Sequence, residues 1–154
     1  MVSVGKRVKN FALPATGNKT LSLDDFKGKN LVLYFYPKDH TPGCTREGQD
    51  FRDAYQDFQE ADTEILGVSR DSVRTHENFR NKQSFPFDLL SDADETLCKQ
   101  FDVIREKKLY GRTYMGIDRS TFLIDGEGVL RREWRKVKVK GHVAEVLEAV
   151  HELD

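Results

Sequence analysis

Cysteine is scarce in this chain: of 154 residues only Cys44 and Cys98 carry a thiol. Two cysteines cannot build a disulfide framework, and neither belongs to a CxxC pair, which argues against a stapled secreted scaffold and against a dithiol exchange motif. Long apolar runs are missing too. The longest, Leu31 to Tyr36, is far too short to span a bilayer, and the opening stretch MVSVGKRVKNF lacks the apolar core of a secretion signal. Charge of one sign is not in excess, since 25 basic and 26 acidic residues leave a formal net charge of −1. That balance argues against a nucleic-acid or anionic-membrane surface. The basic stretch at residues 131–142 reads as a solvated edge strand, because acidic residues lie close on both sides. Four histidines and two cysteines without tight spacing make a poor zinc set, so no metal is expected. No repeat, low-complexity tract or linker divides the chain, so residues 1–154 are expected to form one domain in a reducing compartment, the cytoplasm. In that setting an oddly placed cysteine is read as catalytic before it is read as structural.

What is present is a regular change of period. FALPATGNKTLSL reads as a small hairpin with Gly17-Asn18 at its turn, and LVLYFY as a strand covered on both faces. Residues 42–60 switch to helical spacing, with Phe51, Ala54, Tyr55, Phe58 and Ala61 recurring at three and four residues. EILGVS is a second buried strand. The spacing then predicts a helix over Ser72 to Gln83, a strand at FDLLS, and a helix over Ser91 to Phe101 with Ala93, Leu97 and Phe101 on one face. STFLID and VLRREW flank Gly126 and Gly128 as an antiparallel hairpin, and Val143, Val146, Leu147 and Val150 mark a closing amphipathic helix. This order describes an α/β sandwich with a mixed central sheet flanked by helices and an N-terminal hairpin, which the thioredoxin-like architecture fits. His76, His142 and His151 fall on helical segments and are expected to face solvent, while His40 either bonds near Cys44 or caps its loop.

Cys44 lies where the strand ends and the helix begins, the place where α/β sheets gather reactive groups. In Thr41-Pro42-Gly43-Cys44, Thr41 is a good N-cap and Pro42 suits the first helical position. Cys44 is then third in the helix, among backbone N–H groups without partners and at the positive helix end, which favours a thiolate. The helix alone is too weak. Each unit by which a thiol is made more acidic takes about 1.4 kcal/mol, and a helix end supplies typically about 0.3–1. A cation must add the rest. Arg46 and Arg52 are near in sequence, but helix geometry turns at least one away; Arg119, immediately before the buried run STFLID, is the better choice.

The spacing Pro37-xxx-Thr41-xx-Cys44 resembles the active-site motif of the peroxiredoxins, and LYFYPKDHTPGCTREGQDFRD resembles their bacterioferritin-comigratory (Q-type) branch. FALP, ILGVSRDS, FPFDLLSD and YMGIDRSTFLID extend the likeness along nearly the whole chain. The resemblance implies a thioredoxin-like fold and a thiol peroxidase that reduces hydrogen peroxide and organic hydroperoxides with no metal or organic cofactor. It implies that Cys44 attacks the peroxide and becomes a sulfenic acid, that Thr41 hydrogen-bonds the peroxide, that Pro37 shields the pocket, and that Arg119 polarises substrate and stabilises the thiolate. Backbone N–H groups of Gly43 and Cys44 would complete the site. Glu47 matches an acidic residue that orients the others; on its own it reads equally as a solvated helix residue. The chain departs from many members of the branch at the resolving cysteine. Gln49 stands five residues after Cys44, and Phe79, Arg80, Asn81 and Lys82 occupy the next helix. Cys98 remains, as a buried inert thiol, an exposed free thiol or a resolving residue that reaches Cys44 after local unfolding. The expected cycle uses one cysteine, reset by thioredoxin, glutaredoxin or glutathione, in a monomer or weak dimer. The alternatives are a two-cysteine cycle through Cys98 and a thioredoxin-like exchange or binding module without peroxidase activity. A cysteine phosphatase is excluded, because the arginine it needs six residues after its nucleophile is Asp50.

Overall fold

In the computed structural model, which describes residues 1–153, strands β1 (Ala12–Ala15) and β2 (Lys19–Ser22) form the expected hairpin, with Gly17 and Asn18 both at positive φ in its turn. The chain then enters β3 (Asn30–Phe35), α1 (Pro42–Glu60), β4 (Thr63–Ser69), α2 (Val73–Gln83) and β5 (Asp88–Ser91). After α3 (Thr96–Gln100) come β6 (Ile104–Leu109), β7 (Arg112–Ile117), β8 (Ser120–Ile124), β9 (Leu130–Trp134) and α4 (His142–His151). Seven strands make one sheet in the order β2-β1-β5-β4-β3-β8-β9, with β3, β4 and β5 parallel and β8 and β9 antiparallel to their neighbours. The basic stretch from Arg131 thus begins in an edge strand, as its composition suggests.

β3 is apolar throughout because both its faces are covered. Leu31, Leu33 and Phe35 enter one hydrophobic layer with Leu97, Cys98 and Phe101. Val32, Tyr34 and Tyr36 enter the other, with Cys44 and Phe51 of α1, Phe79 of α2 and Val146 of α4. The two cysteines therefore lie in the two layers, with the sheet between them. α1 meets Phe85, just past the end of α2, closely at Gly48, where a Cβ would run into the Phe85 ring. An alanine there would have to displace an aromatic of the core.

One local expectation needs correction. The helix predicted over Ser91 to Phe101 is only the five residues of α3, and Ala93 is exposed. Asp92 causes this: its carboxylate accepts from the backbone N–H groups of Leu97 and Cys98 at 3.1 and 2.7 Å, starting the helix five residues late. The β6–β7 hairpin leaves no mark in the sequence, because its residues are mostly polar or exposed and show no alternation. Its two-residue turn, Tyr110-Gly111, has positive φ at both positions, a demand usually announced by Asn-Gly.

Candidate active site

The parallel strand β3 delivers the chain to a tight loop, and α1 carries it back over the sheet. Thr41 holds the N-cap position and Pro42 the first helical position, as their types favour. The Thr41 side chain does not cap. Its hydroxyl instead donates to the Lys38 carbonyl at 2.7 Å, turning back into the loop. The first intrahelical bond runs from Thr45 N–H to the Thr41 carbonyl, 2.9 Å, so the Gly43 and Cys44 N–H groups precede every intrahelical acceptor and receive no side-chain cap. Two amide donors are left at the positive end of a 19-residue helix, beside the sulfur.

Cys44 is 2% exposed. The Arg119 guanidinium, delivered from the residue before β8, reaches it across the layer, with Nη2 at 3.4 Å from Sγ. The same guanidinium donates through Nη1 to Glu47 Oε1 at 2.6 Å. Cys44 and Glu47 are three residues apart on α1 and so share a helix face. Glu47 is fully buried, which removes the solvated alternative for it. Burial pushes its carboxyl up to about 7, against the downward pull of Arg119. Its Oε2 has no hydrogen-bond partner among the described residues. Gly43 fits beneath the arginine, since a Cβ there would lie 3.2 Å from Arg119 Nη2. Arg46 is exposed, and Arg52 is turned to α2, where Nη1 donates to the Gln83 carbonyl at 2.8 Å. Pro37 is half-buried at the end of β3.

The positions where the branch resemblance would place a second cysteine hold other groups. Gln49 Nε2 donates to Gln83 Oε1 at 2.9 Å, bridging α1 and α2, and Arg80 Nε donates to the Phe87 carbonyl at 2.9 Å. Cys98 is fully buried on the far side of the sheet, which removes the exposed-thiol alternative. Burial, reinforced by the Asp92 carboxylate, pushes its thiol far above the ordinary thiol range.

A family sequence model, that of the AhpC/TSA family, matches residues 4–133. The chain belongs to this family. It is 51% identical over 152 residues to Peroxiredoxin Bcp of Bacillus subtilis, covering 99% of this chain and 97% of that one. Among solved structures it is similar to a cysteine-to-serine mutant of PrxQ from Xylella fastidiosa, with TM-score 0.93 and 44% identity over 98% of this chain and 96% of that one. It is also similar to the bacterioferritin comigratory protein of Xanthomonas campestris, studied for alkyl peroxide reduction activity, with TM-score 0.88 and 52% identity over 92% and 90% of the two chains. The chain is thus a peroxiredoxin of the Bcp (PrxQ) branch, with the thioredoxin-like fold of that family, and a thiol-dependent peroxidase. The alternative of an exchange or binding module without peroxidase activity falls away. A peroxiredoxin takes a peroxide as substrate and a thiol as reductant. Among the described residues, no helix is long and apolar enough to cross a membrane.

The sequence reading missed part of this end of the peroxiredoxin fold. His76 and His142, expected in solvent, are both buried: His142 Nε2 lies 2.8 Å from Thr121 Oγ1, and His76 is enclosed by Asp39, Tyr36 and Leu90. The spacing of His76 three residues before the buried Phe79 on α2 was a signal that it shares the inward face. His40 is exposed at positive φ in the loop and meets Phe79 edge-on, 5.1 Å between ring centroids.

Proposed function

We propose that Cys44 is the peroxidatic residue and that this peroxiredoxin works by a one-cysteine cycle. The observation that carries the first part is the Arg119 donor 3.4 Å from Cys44 Sγ, fixed by the buried Glu47. In the reaction the Cys44 thiolate attacks one peroxide oxygen. A sulfur–oxygen bond forms, the oxygen–oxygen bond breaks, and its electron pair leaves on the second oxygen, which takes a proton and departs as water or an alcohol. Cys44 is left as a sulfenic acid. Negative charge moves from sulfur to oxygen along this path, and Arg119 with the Gly43 and Cys44 N–H groups supplies fixed donors along its length. The Thr41 hydroxyl has given its hydrogen to Lys38, so its lone pairs accept the peroxide O–H and orient the substrate. Pro37 limits access from the loop side. Residues 1–154 act as one domain, a monomer or weak dimer in the cytoplasm, and no metal or cofactor takes part.

The one-cysteine cycle is supported by the position of Cys98, buried in the opposite layer, and by Gln49 and the stretch Phe79 to Lys82, which hold no cysteine where the resemblance would lead one to look for it. A disulfide needs Cα atoms roughly 4.4–6.8 Å apart, so Cys98 could pair with Cys44 only after both layers open. An external thiol, of thioredoxin, glutaredoxin or glutathione, attacks the sulfenic sulfur; the sulfur–oxygen bond breaks, water leaves, and a second thiol attacks the resulting mixed disulfide and releases the Cys44 thiol. Both hydrogen peroxide and alkyl hydroperoxides are substrates of this reading, the latter in line with the activity named for the Xanthomonas campestris relative.

Intact-mass measurement after one equivalent of peroxide tests both parts, on the wild type and on each Cys→Ser variant. The wild type and Cys98→Ser should become one oxygen heavier, and Cys44→Ser should be unchanged and inactive with dithiothreitol. A wild-type species two hydrogens lighter, absent from both variants, would overturn the one-cysteine cycle. Peroxide consumption by Cys44→Ser equal to wild type would overturn the assignment of Cys44.

A further inference from the structure

The loop that carries Pro37 and Thr41 is anchored by a buried side chain that the chemistry above does not use. Asp39, midway along the loop, is 3% exposed, and three elements hold it. Tyr36, at the end of β3, donates its hydroxyl to Oδ1 at 2.6 Å. His76, on the first turn of α2, brings Nδ1 to 2.7 Å from Oδ2. The Asp39 backbone N–H donates to Asp71 Oδ2 at 2.9 Å, and Asp71 in turn accepts from the Ser69 hydroxyl at the end of β4. The next residue, His40, has left-handed backbone geometry at φ 63°, so the loop turns sharply between this anchor and Thr41.

The imidazole of His76 bridges two partners. Its Nε2 lies 2.9 Å from the Leu90 carbonyl of β5, which can only accept, so Nε2 carries a hydrogen and ties α2 to the sheet. Its Nδ1 faces the loop. The ring therefore has a structural side and a loop side. Asp39, Asp71 and His76 offer ligand atoms within 4.8 Å of one another, but these atoms are taken up by Tyr36, Ser69, Leu90 and each other. Hydrogen bonding accounts for the cluster without an ion.

We propose that Asp39 and His76 are positioning residues for peroxide reduction: the His76 Nδ1–Asp39 bond fixes the loop so that the Thr41 hydroxyl meets the peroxide in register with the donors at the start of α1. This rests on Cys44 as the peroxidatic residue. The Cys44 thiolate with its flanking N–H groups belongs to α1, and its Arg119 partner to the residue before β8, neither of which depends on the loop anchor. Loss of the anchor should slow reaction with peroxide while leaving the reaction of Cys44 with a small alkylating agent unchanged.

The two sides of the His76 ring can be separated. In His76→Asn the amide nitrogen occupies the place of Nδ1 and keeps the bond to Asp39; in His76→Gln it occupies the place of Nε2 and keeps only the bond to Leu90. Each variant loses one buried hydrogen bond, so their thermal stabilities should be similar. The second-order rate with hydrogen peroxide, read by stopped flow well below the melting temperature, should fall about tenfold or more in His76→Gln and stay within about threefold of wild type in His76→Asn. Iodoacetamide labelling of Cys44 should be equal in both. Equal peroxide rates in the two variants would overturn the proposal and leave His76 a packing residue. If His76→Gln does not fold, Asp39→Asn carries the test, because its amide can donate to a neutral Nδ1. That variant should stay within about threefold of wild type, and a tenfold fall would overturn the proposal. Cys44→Ser run alongside separates the outcomes, since activity surviving there removes the catalytic reading itself.

Discussion

Cys44 and Cys98 are nearly equal in burial, 2% and 0% exposed, and nearly opposite in surroundings. Cys44 begins a 19-residue helix, with uncapped N–H groups around it and a guanidinium 3.4 Å from its sulfur. Cys98 also lies early in a helix, but α3 has only five residues, and the Asp92 carboxylate already fills its N-terminus by accepting from Leu97 and Cys98 N–H. One thiol meets positive charge and free donors; the other meets an anion that has consumed the donors. Exposure therefore does not distinguish the two thiols. What differs between them is the sign of the nearest charge.

The contrast can be broken most directly by native labelling. Iodoacetamide at neutral pH should modify Cys44 about a thousandfold faster than Cys98, and denaturant should bring the two rates together. Similar rates in the folded protein, read by peptide mass mapping, would remove the electrostatic account. Arg119→Ala should come next in size. It removes the donor 3.4 Å from Cys44 Sγ, which in the proposed mechanism also meets the peroxide, and should slow peroxide reduction by about a hundredfold to a thousandfold while leaving Cys98 labelling unchanged. The fold should survive, because the stranded Glu47 is already pushed up to about 7 and can take a proton in place of its partner. An unaltered peroxide rate in Arg119→Ala would remove that residue from the site.

How legible this contrast was in the sequence differs between its halves. Pro37, Thr41 and Cys44 share one turn, so local spacing and helix-start chemistry locate them, and the short reach of a helix dipole already demanded a distant cation. Arg119 could be named because it abuts a strand of unbroken apolar residues. Glu47 is three residues from Cys44, but its burial depends on what covers α1, which spacing does not state. Asp39 and His76 are thirty-seven positions apart, and only the parallel pairing of β3 and β4 brings the loop against α2. The same limit explains α3. A side chain five positions before Leu97 starts that helix, while the apolar spacing of Ala93, Leu97 and Phe101 suggests a longer one.

Glu47 supplies a test that reads stability in place of rate. Its carboxyl holds a proton up to about 7 in the folded chain against an ordinary 4.5, with burial the main cause, so the folded state binds this proton more tightly than the unfolded state. That contribution is present in full below about 4.5 and is lost as the pH rises through about 7. Glu47→Gln can still accept from Arg119 through its amide oxygen and cannot ionise. Between pH 5 and pH 8 the stability difference should swing toward the glutamine variant by on the order of 2–3 kcal/mol, measured by urea denaturation. A difference independent of pH would mean that Arg119 keeps Glu47 ionised throughout.

Asp92→Asn probes the other side of the contrast and should have the smallest effect. The asparagine keeps one acceptor for the start of α3 and loses the second, leaving either the Leu97 or the Cys98 N–H unpaired, at a cost of about 1 kcal/mol. It also removes the anion beside Cys98. Burial is the larger cause of that thiol's upward shift and the carboxylate the smaller, so the thiol should move down yet stay well above Cys44 in resistance to labelling. Iodoacetamide labelling of Cys98 should rise only about threefold once the loss of global stability is subtracted. A rise that brought Cys98 near the rate of Cys44 would put the carboxylate ahead of burial. Cys98 would then be a thiol held in check by one side chain, while its place in the opposite layer would still keep it from pairing with Cys44.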